Sequence, residues 1–93
     1  MRLPTVHLNG TSFETLNREY LAAYFAVDAA LDALGEVTVN GRDYYVQEGN
    51  AASEAIEEHR ERLRSLEKIK SDLVQIILWI TTNKTWEHQD KCQ

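Results

Sequence analysis

The most constraining feature is a spacing. From Ala52 onward, the residues Ala52, Ile56, His59, Leu63, Leu66, Lys70, Leu73, Ile77 and Ile80 stand four, three, four and three apart. Strict alternation of that kind is the seam of a helix packed along another helix. It predicts a long second helix over about 51–82. Two members break the apolar rule, His59 and Lys70. Lys70 can carry its amine out of a seam on its long stem. A histidine there needs partners for its ring nitrogens, such as Tyr24 or a loop group, or else it faces a ligand.

A first helix is expected over about 12–34. Thr11-Ser12-Phe13-Glu14 reads as a capping box, with Thr11 at the start. The stripe Phe13, Leu16, Tyr20, Ala23, Val27, Ala30 and Leu34 follows, and Gly35 stands at the expected stop. The alanines between 22 and 30 would let another helix approach closely. Two helices joined by a 35–50 loop predict an all-α fold, an antiparallel two-helix hairpin. Within the loop, Asn40-Gly41 favours a tight turn with positive φ, either in a small hairpin or alone. The whole chain, 1–93, reads as one domain, with an extended segment over 1–10 and a frayed tail over 83–93.

At 1.5 Å per residue the second helix is longer than the first, by roughly 13 Å. The overshoot is expected to be LVQIILWI, residues 73–80, apolar on nearly every side. Such a stretch must be covered. Leu3, Val6 and Leu8 can cover part of it, and a second copy the rest. That predicts an antiparallel dimer or larger bundle with Leu73, Ile76, Ile77 and Ile80 in the shared core. A chain of 93 residues buries only a modest core by itself, which points the same way.

Composition then excludes some classes. The net charge of −5 argues against general nucleic-acid binding. No apolar run reaches the length of a membrane span. The single cysteine, Cys92, forms no intrachain disulfide and suits a reducing cytoplasm. No zinc-ligand spacing, nucleophile elbow or phosphate-binding glycine loop occurs, so neither metal, cofactor nor catalysis is expected.

Three polar clusters stand out. His7, Asn9 and Thr11 precede the first helix, where amides attract anions; the same residues also serve as a plain helix cap. Asn40, Arg42, Asp43, Tyr44 and Tyr45 combine a guanidinium fork, flat aromatic faces and sugar-bonding groups. They equally suit a turn whose tyrosines fold onto the helices while Arg42 pairs with Asp43. His59, beside Arg60, Arg62 and Arg64, is the third. The first two lie a helix length apart, roughly 35 Å, and can share a pocket only between two antiparallel copies.

VHLNGT ahead of one helix, NGRDYY between helices and EEHRERL on the next resemble a group of small phage- and prophage-encoded helical proteins. The resemblance covers residues 5–66 and implies the cytoplasm of an infected bacterium. It is similar in style to phage proteins that sequester immune signalling nucleotides, such as cyclic ADP-ribose variants or cyclic dinucleotides. By that likeness Arg42 would take pyrophosphate and Tyr44 and Tyr45 adenine. Asn40, Asp43 and Asn9 would take ribose, with His7 or His59 on a phosphate or base edge. Two other expectations compete: an acidic helical inhibitor of a host protein, in the manner of anti-CRISPR proteins, and a phage assembly helper.

Overall fold

A computed structural model describes residues 1–83. The expected tail thus lies almost wholly outside the described residues. The chain forms two helices, α1 (Phe13–Gly35) and α2 (Ala51–Thr82), joined by a loop with a short 3-10 turn at Gly41–Asp43. No strand occurs among the described residues.

Contacts run in opposite order along the two helices. Asp28 of α1 meets Lys70 of α2, and Leu21 and Tyr24 line one groove with Val74, Ile77 and Leu78. Every expected seam position of α2 is buried or half-buried. On α1 the phase differs from expectation. Tyr24 and Leu31 occupy the seam, while Ala23 and Ala30 are exposed. Seven-residue steps allow either order of three and four, and the larger side chains of the 23/24 and 30/31 pairs fill more of the seam.

The cap also differs. Ser12, not Thr11, is the N-cap of α1; its hydroxyl accepts from the Thr15 amide at 3.2 Å and bonds the Thr15 hydroxyl at 3.1 Å. Thr15 stands where a capping box requires a glutamate, so Glu14 has no such part. Gly35 is the last helical residue rather than a left-handed stop. Among the described residues the only positive φ, +73°, belongs to Gly49, just before the N-cap Asn50.

The overshoot lies at the other end from that expected. Counting seven residues on from the Asp28–Lys70 pair, α1 ends near Leu63, so about 18 Å of α2, residues 51–62, runs past it. A long loop leaves the offset of two helices free, and the apolar LVQIILWI stretch settles against α1 and the N-terminal segment instead. There Val6 and Ile80 are buried, and the Trp79 indole donates to the Pro4 carbonyl at 2.7 Å. Ile80 is therefore covered by its own chain and offers nothing to a partner copy. Leu73, Ile76 and Ile77 are half-buried.

Val6 and Ile80 are the only buried side chains among the described residues, and of these Ile80 is fully so. The molecule is only 18–21 Å across, about two helix diameters.

Candidate functional site

The first cluster is a tight turn. The Gly10 amide donates to the His7 carbonyl at 3.2 Å. The His7 ring lies over Gly10, so close that a Cβ there would sit 2.7 Å from Nε2. His7 is thus folded against its own turn, while Asn9 and Thr11 are exposed.

The second cluster is not a hairpin. The Asn40 carboxamide oxygen accepts from the Arg42 amide at 2.9 Å, standing in for a backbone turn. Asn40 has φ −96°, and Gly41 has no positive φ. The 3-10 turn closes through Asp43 N–H to Asn40 and Tyr44 N–H to Gly41, each at 3.0 Å. Among the described residues Arg42 forms no ion pair with Asp43. Both side chains are exposed, Tyr44 is half-buried, and Tyr45 is 79% exposed. One tyrosine folds down and the other is presented.

Within one chain the two clusters stay apart. The 23 residues of α1 separate them by about 35 Å. His59 is half-buried on the overhang of α2, far from Tyr24, whose partner is Lys70. Tyr24 therefore does not satisfy the His59 ring.

Lys70 has a role that its position alone did not suggest. Its amine donates to Asp28 at 2.6 Å and lies 5.7 Å from the Tyr24 ring centre. The bond to Asp28 holds the amine above its ordinary pKa, against a smaller opposing effect of desolvation. The signal was present in the sequence: one acid and one base, each beside or within an apolar stripe, on helices expected to face each other.

On the outer face of the overhang, Glu54, Glu57, Glu58, Glu61 and Arg62 line an open trough. Arg64 ties two of these carboxylates, at 2.7 Å from Glu57 and 2.9 Å from Glu61, and both bonds raise its pKa further. No group of three or more His, Cys, Asp or Glu side chains among the described residues is arranged to hold a metal. No described helix is long and apolar enough to cross a membrane. No known protein family, curated protein or solved structure matches this chain.

Proposed function

We propose that the protein is a non-catalytic binder that works as an antiparallel pair of helical hairpins. It sequesters a nucleotide-derived small molecule between the N-terminal turn of one copy and the loop of the other. One observation carries the reading: two exposed clusters with recognition chemistry stand at opposite ends of a chain too thin to bury a core alone. Head-to-tail pairing answers both facts.

In that pocket Arg42 grips phosphate in a bidentate manner. Tyr45 supplies the stacking face, since Tyr44 is partly covered. Asn9, Thr11, Asp43 and the remaining NH₂ of Asn40 bond sugar hydroxyls, with His7 at the rim. The phage setting implied by VHLNGT, NGRDYY and EEHRERL makes an immune signalling nucleotide the natural cargo.

The test is to expose the protein to extract from infected cells, wash it, denature it and identify any released small molecule by mass spectrometry. A nucleotide derivative is expected, and the purified compound should raise the melting temperature of the wild type. Arg42→Ala should lose that rise with its helical signal intact. An equal rise in both proteins would remove Arg42 from the site, and an empty extract eluate would sink the reading.

The carboxylate trough favours a second reading, an acidic inhibitor of a basic host protein. It predicts a salt-sensitive pull-down and no response to any nucleotide.

A further inference from the structure

Five asparagines stand in the chain, and two of them, Asn9 and Asn40, are followed by glycine. That pairing carries a reaction of its own. The amide nitrogen of a following glycine, with no side chain in the way, can attack the asparagine carboxamide. The structure sets the two Asn-Gly pairs in opposite surroundings.

At Asn40 the attacking group is free. The Gly41 amide donates to no acceptor among the described residues. Asn40 and Gly41 are both exposed, and nothing lies within 4 Å of where a Gly41 side chain would begin. Only the turn holds the pair back. The Asn40 ψ of 125° points the Gly41 nitrogen away from the side chain. The carboxamide oxygen is engaged by the Arg42 N–H at 2.9 Å, and the Asp43 N–H closes the same turn on the Asn40 carbonyl at 3.0 Å. These bonds face water, which replaces them at little cost. The turn therefore opens locally, without unfolding either helix.

At Asn9 the attacking group is occupied. The Gly10 amide donates to the His7 carbonyl at 3.2 Å. The His7 ring lies over Gly10, with Nε2 2.7 Å from where a Cβ would stand. Val6, next in the chain, is buried and anchors this turn. Swinging the Asn9–Gly10 peptide toward the Asn9 side chain requires the bond to break and the ring to move.

We propose that Asn40 is a site of spontaneous modification, converting through a cyclic imide to aspartate and isoaspartate, while Asn9 is spared. The Gly41 nitrogen gives its proton to a solvent base and bonds to Asn40 Cγ. The carboxamide C–N bond breaks, and the leaving nitrogen takes up a proton and departs as ammonia. Water then opens one of the two ring carbonyls. One opening gives aspartate and the other isoaspartate, whose main chain is one carbon longer. Either product sets a carboxylate two residues from Arg42, where a neutral amide stood. The inference goes beyond the binding reading and does not depend on it; under that reading the new charge competes with phosphate for Arg42.

The test is peptide mapping by mass spectrometry. The full chain is kept in mildly alkaline buffer made with heavy-oxygen water, folded in one sample and in urea in another. In the folded chain the label should enter residue 40 at least about ten-fold faster than residue 9, because the two turns differ in how readily they open. In urea the two residues should convert at similar rates. Gly41 has open space around it and no positive φ, so Gly41→Ala fits the turn. The added methyl group crowds the attacking nitrogen and should slow residue 40 at least about ten-fold, with the helical signal unchanged.

Residue 9 converting as fast as residue 40 in the folded wild type overturns the proposal. So does an Asn40 that keeps its amide in the folded chain while the urea sample loses it. A gap between the two residues that persists undiminished in urea, or an unchanged rate in Gly41→Ala, overturns it as well.

Discussion

The two ends of α2 obey the same sequence rule and have different fates. Its C-terminal half meets α1 on one side and the N-terminal segment on another, and there the chain buries Ile80 and Val6. Its first twelve residues carry the same four–three seam, Ala52, Ile56 and His59, but α1 has ended. In the loop that joins the helices Val39 and Tyr44 are half-covered. A seam therefore states where a helix wants a neighbour, not that its own chain provides one. The better-packed end supplies stability, and the overhang presents the polar groups.

Core substitutions should separate the ends most sharply. Ile80→Ala removes a fully buried side chain and should cost about 3 kcal/mol in denaturant unfolding. Ile56→Ala, half-buried on the overhang, should cost under about 1.5 kcal/mol. Equal losses would mean that the overhang is as well packed as the other end, and that the contrast is false.

The caps extend the comparison. Ser12→Ala deletes the bond to the Thr15 amide and should cost about 1 kcal/mol. Asn50 makes no side-chain capping bond, so Asn50→Ala should stay within about 0.5 kcal/mol. A larger effect at Asn50 would show that its side chain caps α2 in solution.

His59 offers a change of opposite sign. Its ring has no hydrogen-bond partner within the described chain, and a leucine would restore the seam. His59→Leu should raise the melting temperature slightly. A fall would mean that the ring has a partner, and loss of nucleotide response with a stable fold would put that partner in the ligand.

The smallest effect is a pH dependence. Lys70 has its amine pKa raised, chiefly by the bond to Asp28. A raised folded-state value means that the pair contributes below the ordinary lysine pKa, 10.5, and that this contribution fades as pH rises through the folded value. The melting temperature should drop more steeply above about pH 10.5 in the wild type than in Asp28→Asn. Parallel curves would exclude the pair as a source of stability.

Much of the architecture was legible because spacing alone carries it. The α2 seam, the helix limits and the cover that Val6 gives to LVQIILWI follow from apolar period and length. Phase on α1 was ambiguous, because Ala23/Tyr24 and Ala30/Leu31 satisfy the same period. The direction of overshoot was hidden, since a fifteen-residue connection permits many offsets. At Asn40 the expected turn gave way because the side chain itself accepts the Arg42 N–H. The polar clusters were visible as chemistry, but nothing in their spacing tells whether a neighbouring copy unites them.

The Lys70–Asp28 contact has one more effect. Sliding the helices past each other by one heptad would keep apolar side chains against apolar side chains along most of the seam. It would also set Asp28 opposite Leu63 or Ile77 and part it from the Lys70 amine, which would lose its bond. One salt bridge across an otherwise repetitive surface thus works as a locating pin, and it fixes how far α2 protrudes and where its polar loop is held.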